Sequence, residues 1–238
     1  NFFKLKALNR NLKNISFSKK NKSNIKLEKI NRSKNISTVK INIYGKTRKF
    51  IIKRNADVYV NNILASIAII ANFLDLNNIS EKFFLNYNLP EGRGDHKYVK
   101  INKKKIYLID QSYNSNPLSL EFALNNFSKL RSKSKRKIIL LGDMLELGKF
   151  SKKLHLEAAE KVNNSNINRA YVYGKKILYT FNKIKPQKKG KILYSSRDVS
   201  NFLKNDIKDG EYLMIKGSNS TGLNAMTKKL KLGNINAI

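Results

Sequence analysis

From Gly92 onward, short apolar runs alternate with windows in which apolar residues recur at helical spacing. The runs at 105–110, 137–142, 169–174, 191–195 and 212–216 have the length of buried strands. Helical windows fall between and after them, near 118–130, 153–162, 175–181, 196–203 and 223–232. Such alternation implies right-handed crossovers. The fold class expected is α/β, with a mainly parallel sheet of roughly five or six strands and helices on both faces. Sheets of this kind place ligands at the carboxyl ends of their strands, which directs attention to 110–116, 142–148, Tyr173-Gly174 and 216–219.

Upstream the pattern differs. Short β-rich runs at 25–30, 38–44 and 49–53, with a turn signal at Gly45-Lys46, predict a small antiparallel segment. Val58, Ile63, Leu64, Ile67, Ile70 and Leu74 then predict a helix over 57–76, and Ser80 is a candidate N-cap for another ending near Tyr87. Leu89-Pro90-Glu91-Gly92 breaks the pattern, so the domains are expected to be 1–90 and 91–238. The most apolar stretch, 63–76, is interrupted by Ser66, Asn72 and Asp75. It is shorter than the ~20 residues a membrane-spanning helix needs, and no membrane insertion is expected. The chain opens at Asn1 without an initiator Met or a signal-peptide pattern, so a longer protein, cut or truncated at this end, is expected.

Composition changes this picture little. A chain of 238 residues, 41% of them hydrophobic, can bury one large core or two modest ones. Its 49 Lys+Arg against 16 Asp+Glu give a formal net charge of +33, which ordinarily points to nucleic acid or an anionic membrane surface. Here the excess runs along the whole chain, mainly as lysine, whereas a binding patch would be local. A solvated lysine-rich surface is the preferred reading, and no nucleic-acid partner is expected. With no cysteine, disulfides and thiolate metal sites are excluded and a cytoplasmic location is the default.

Candidate chemistry gathers at the strand ends. Asp110 precedes the polar loop Gln111-Ser112-Tyr113-Asn114-Ser115-Asn116 and Pro117, which suits the first position of a helix. The loop could hold a ribose diol or a peptide; equally, Asn114 or Asn116 could merely cap the helix and Asp110 satisfy loop amides. Asp143 and Glu146 stand at the next strand end. A chain drifting toward lysine should lose idle acids first, although capping remains an alternative for each. His155 reads as a packed or capping residue, and no nucleophile or metal site is suggested. Lys216-Gly217-Ser218 offers a cation, a close backbone approach and a hydroxyl, suited to a carboxylate or phosphate, with an ordinary loop as the alternative. No Gly-x-x-x-x-Gly-Lys-Ser/Thr loop occurs, so the chain has no self-contained phosphate cradle.

Taken in order, these segments resemble the Mur ligases. The carrying strings are Asn62-x-Leu64-Ala65, Gly92-Arg93, Asp110 through Pro117, Leu141 through Gly148 with His155 beyond, and Lys216-Gly217-Ser218. The Ser112-Tyr113-Asn114-x-Asn116-Pro117 string resembles the branch that joins D-alanyl-D-alanine to UDP-N-acetylmuramoyl-tripeptide. The resemblance implies the end of an ATP-binding central domain followed by a Rossmann-like C-terminal domain, in an ATP- and Mg2+-dependent ligase that acts as a monomer. It implies that Asn62 contacts adenine, Arg93 the nucleotide and Asp110 the ribose, with the Asp110 side chain open to solvent until the domains close. Tyr113, Asn114 and Asn116 would shape the neighbouring cleft, Lys216 and Ser218 would lie toward the dipeptide, and Asp143 and Glu146 join the substrate-binding set. The family's phosphate loop and metal ligands would lie upstream of Asn1, so the chain alone is expected to be inactive. Val58 and Gln111 stand where the family usually has a His and an acidic residue.

Overall fold

The structure, a computed structural model, describes residues 14–20, 22–87, 90–130 and 135–234. Two compact units, Asn1–Asn88 and Leu89–Ile238, divide the chain and are described separately.

In the first unit, strands β1 (Phe17–Ser18), β2 (Ile25–Arg32), β3 (Ile36–Ile43) and β4 (Lys46–Lys53) form one sheet in that order. β1 runs parallel to β2, and the other pairs are antiparallel. Along β3 the inward positions Ser37, Val39, Ile41 and Ile43 alternate with partly covered ones, the period-two signature that made the strand legible. The β3–β4 turn lies one residue earlier than expected, at Tyr44 (φ 49) and Gly45 (φ 89), because a two-residue hairpin needs left-handed backbone at both central positions. Helix α1 (Val60–Ile70) packs Val60, Ile63, Leu64 and Ile67 in one core with Val39, Ile41, Phe50 and Ile52.

α1 is shorter than expected at both ends. Arg54–Tyr59 form a 3-10 turn, where Asp57 is paired by Arg32 at 2.8 Å and Arg54 at 2.5 Å. At the far end Asn72 Nδ2 donates to the Ala68 carbonyl at 2.7 Å and takes up a helix-terminal acceptor. The expected helix from Ser80 to Tyr87 is a run of turns. Leu85 N–H donates to the Lys82 carbonyl three residues back at 2.8 Å, and the Glu81 carbonyl, its partner in an α-helix, accepts from Ile51 N–H at 2.8 Å. The Val58 side chain and Leu89 lie outside the described residues.

The second unit is a six-stranded sheet in the order β5 (Asp95–Ile101), β6 (Lys104–Gln111), β10 (Tyr212–Lys216), β7 (Lys137–Gly142), β8 (Arg169–Tyr173), β9 (Lys189–Leu193). β5 is antiparallel to β6, and every other pair is parallel. Helices α2 (Pro117–Lys129), α3 (Ser151–Asn164) and α4 (Leu178–Lys183) cover one face, their Leu120, Phe127, Val162 and Phe181 packing with Ile109 and Ile139. The other face is covered by α5 (Ser196–Asn201), which runs on into a π turn, and by α6 (Leu223–Lys231). The mainly parallel α/β fold is thus as expected. β5 was not anticipated, since as an edge strand it buries only Val99 and Ile101. β9 begins and ends two residues before the expected run.

Lysines close the carboxyl ends of several helices. Lys137 Nζ donates to the Ser128 carbonyl of α2 at 2.6 Å, and Lys188 Nζ to the Asn163 carbonyl of α3 at 2.9 Å. Lys189 reaches Asn182 in α4 at 3.3 Å, and Lys104 reaches Lys204 and Ile207 after α5 at 2.6 and 2.7 Å. Each ammonium supplies donors to carbonyls that have no intrahelical partner. No helix among the described residues is long and apolar enough to cross a membrane.

Candidate functional site

Asp110 lies one residue before the end of β6, at the carboxyl edge as expected, but its side chain is fully buried. Oδ1 accepts from Ser112 N–H at 3.0 Å and Ser112 Oγ at 2.6 Å, while Lys231 Nζ of α6 pairs with Oδ2 at 2.5 Å. The expectation of a solvent-facing carboxylate is therefore corrected: a local turn satisfies Oδ1, while Oδ2 is ion-paired with Lys231 and has no hydrogen-bond partner among the described residues. At the same strand end Gln111 is the half-buried neighbour. Arg93 and Tyr113 are exposed, and the Arg93 guanidinium lies 4.2 Å from the Tyr113 ring centre, a cation–π arrangement. Asn116 caps α2, accepting from Ser119 N–H at 2.9 Å while its own N–H donates to Ser119 Oγ at 3.0 Å, so the capping role weighed for it is present.

The loop after β7 is gripped at three consecutive residues by three elements. Asp143 accepts from Ile177 N–H at 2.7 Å and Lys175 N–H at 3.2 Å, which is a capping role. Met144 N–H donates to His155 Nε2 at 3.1 Å, and His155 Nδ1 lies 2.8 Å from the Ser151 carbonyl. An acceptor at Nε2 and a donor at Nδ1 define the neutral ring. Burial pushes its pKa below the ordinary value, with Lys176 adding to the effect against Ser151 and Asp143. Leu145 N–H donates to Ser218 Oγ at 2.9 Å, and Ser218 N–H to the Asp143 carbonyl at 3.0 Å. Glu146 is exposed at the crest with a left-handed φ of 60°.

Ser218 Oγ also lies 3.4 Å from the Ser115 carbonyl, so this one hydroxyl joins the loops after β6, β7 and β10. Lys216 is buried beside it, donating to the Asn114 carbonyl at 2.9 Å, and burial lowers its pKa to about 8. Neither side chain is open to solvent in this conformation. The open space lies next to them, a cleft of about 370 Å³ with Asp143, Tyr173, Lys175, Tyr194 and Ser220 in its walls. Tyr194, Lys175 and Ser220 were not singled out from sequence, although Tyr173-Gly174 marked this edge. In the first unit, Asn62 is exposed on the first turn of α1. Among the described residues no three His, Asp or Glu side chains converge to hold a metal.

The Mur ligase glutamate ligase domain family matches residues 97–219, just over half of the chain and all three of these loops. The chain belongs to the Mur ligase family. Its curated relatives include the UDP-N-acetylmuramoyl-tripeptide--D-alanyl-D-alanine ligase of Rickettsia prowazekii, 27% identical over 145 residues, covering 61% of this Mur ligase chain and 31% of the relative. The ligase of the same name from Buchnera aphidicola subsp. Baizongia pistaciae is 30% identical over 145 residues, 60% of this chain and 30% of its own. The MurF ligase of Thermotoga maritima, crystallised with ADP, shares the fold at a TM-score of 0.68 and 17% identity, over 94% of this chain and 49% of that one. A MurF of Acinetobacter baumannii superposes at 0.70, with 17% identity, over 92% and 47%. The chain thus spans about a third of the curated relatives it matches and about half of the solved structures.

Proposed function

We propose that this chain is the nucleoside-binding and amine-binding part of a cytoplasmic, monomeric ligase that joins D-alanyl-D-alanine to UDP-N-acetylmuramoyl-tripeptide in peptidoglycan precursor synthesis. The reading is carried by one observation: the loops after β6, β7 and β10 meet at a single buried hydroxyl, Ser218, beside a solvent-open cleft. In such a ligase ATP transfers its γ-phosphoryl group to the tripeptide carboxylate, the dipeptide amine attacks the resulting acyl carbon, and phosphate leaves.

The residues present fit the nucleoside end of ATP. Arg93 stacked on Tyr113 offers a flat cationic surface for the nucleotide, Asn62 of the first unit, read as the end of the ATP-binding central domain, would meet the adenine, and Asp110 would order the strand end that faces the ribose. Because the Asp110 carboxylate is committed to Ser112 and Lys231, the hydrogen bond to a ribose hydroxyl falls to Gln111. Among the described residues no cluster of His, Asp or Glu fits magnesium. On the amine side, Lys175, Tyr194 and Ser220 would meet the dipeptide directly. Asp143, Lys216 and Ser218 would hold the cleft wall, with Asn114, Asn116 and Glu146 completing its rim.

A protein-detected NMR titration tests this. ADP should shift Arg93 and Tyr113, and D-alanyl-D-alanine should shift Lys175, Tyr194 and Ser220. Shifts at neither set, or tight binding of RNA that weakens steeply with salt, would overturn the reading.

A further inference from the structure

Asp95 and Asp110 are direct cross-strand partners in the antiparallel β5–β6 pair. Like charges directly opposite one another are destabilising, and Asp110 is fully buried, so this pairing needs a cation. Lys231 supplies it, reaching both Asp95 and Asp110 with little of its own side chain exposed. Burial alone would lower the lysine's pKa, but its bonds to Asp110 and Asp95 hold it above the usual value.

Lys231 does not act alone on its helix. Asn224, Lys228 and Lys231 recur at positions i, i+4 and i+7 and so share one face of α6. Asn224 Nδ2 donates to Ser112 Oγ at 3.2 Å, and Lys228 pairs with Glu91 at 3.7 Å. This face meets a tight turn. Gly92 N–H donates to Asp95 Oδ1 at 2.7 Å, Gly94 N–H to the Asp110 carbonyl at 2.7 Å, and Tyr113 N–H to the Gly92 carbonyl at 3.1 Å. Gly92 has φ 76, and a Cβ there would stand 2.9 Å from both Asn224 Nδ2 and Tyr113 N, so the turn packs closely against α6 and the loop after β6. Arg93 sits at its apex, over Tyr113.

We propose that Lys231 is a positioning residue: by neutralising Asp95 and Asp110 together, it fixes the Gly92–Arg93–Gly94 turn and presents Arg93 against Tyr113 for the nucleotide. The last step rests on the nucleotide reading above; the fixing of the turn does not. Neither residue of the Lys231–Asp110 pair suggests the other in the sequence, and Lys231 contacts both carboxylates.

Amide hydrogen exchange on the chain and its K231M and K231R variants tests the proposal. K231M should speed exchange at Gly92, Gly94 and Tyr113 by about tenfold or more while leaving β7 and β8 unchanged, and K231R should restore most of the protection. Unchanged exchange at these three amides overturns it. Should K231M unfold the whole chain, D95N and the D95N/K231M double variant decide: with one charge removed, losing Lys231 should be much less damaging, and equal damage in both backgrounds overturns the proposal. The same samples titrated with ADP at a temperature well below unfolding give the functional readout. K231M should weaken ADP binding to the extent that R93A does. If the wild-type chain binds no ADP, the nucleotide reading fails, whereas the exchange comparison still decides the role of Lys231.

Discussion

The Lys216 ammonium donates to the Asn114 carbonyl, 102 residues earlier in the chain, at 2.9 Å. The bond fixes the loop after β6 onto the end of β10, and it does so with a buried cation that has no carboxylate beside it among the described residues. Lowering a lysine from 10.5 to about 8 corresponds to about 3 kcal/mol of disfavoured charge.

Lys216 therefore gives a first prediction. The unfolded chain holds this proton up to the ordinary 10.5, whereas the folded chain releases it near 8. Its contribution is fully present above 10.5 and is lost as pH falls through about 8. The difference in unfolding free energy between wild type and K216M should change across that window and be flat below it. A pH series of denaturant melts checks this.

His155 should show the same sign at lower pH. Its folded pKa lies below the ordinary 6.5, so stability is lost as pH falls from 6.5 toward the folded value. Protonated Nε2 would also face the Met144 N–H it normally accepts from. His155→Phe keeps the ring volume but strands that amide, and should cost about 1–3 kcal/mol at pH 8 while removing the acid dependence. Thermal melts at several pH values would reveal both effects.

Two glycines should respond differently to alanine. At Gly174, with φ of 134°, a Cβ would fall 2.5 Å from Asp143 Oδ1, whereas at Gly148, with φ of 51°, nothing stands within 4 Å. G174A should displace Asp143 and weaken dipeptide binding several-fold in addition to losing stability. G148A should cost only the backbone strain, about 1–2 kcal/mol. Parallel melts and D-alanyl-D-alanine titrations separate the two.

Asp110 and Gln111, adjacent in sequence, should divide stability from binding. D110N leaves Lys231 with Asp95 alone and should cost about 2 kcal/mol or more, a partial loss of a buried ion pair. Q111A should leave the melting temperature within error and weaken ADP binding. The opposite pattern would return the ribose contact to Asp110.

The sheet of the second unit was legible because its parallel strands are buried on both sides and read as continuous apolar runs; β7 is buried at all six positions. β5 was not, since an edge strand carries polar residues wherever it faces water. The strand-end loops were found from topology and motif together, but not how their side chains are used. Asp110 looked like a free acceptor because its partner lies in the last helix, and no local pattern announces a contact across that separation. Asn116 was readable as a cap because its partner Ser119 is three residues away. Ser80 misled for the complementary reason: the competing bond from Ile51 to Glu81 is not local.

The lysines that close helix ends bear on how a lysine-laden gene remains foldable. Where Lys104, Lys137, Lys188 and Lys189 meet terminal carbonyls, the drift in composition has become internal wiring, and those amines are no longer interchangeable with their surface neighbours. Exhaustive acetylation would distinguish the two populations. Blocking the solvated amines would chiefly shift mobility in an electric field, while blocking these four would fray helices from their carboxyl ends.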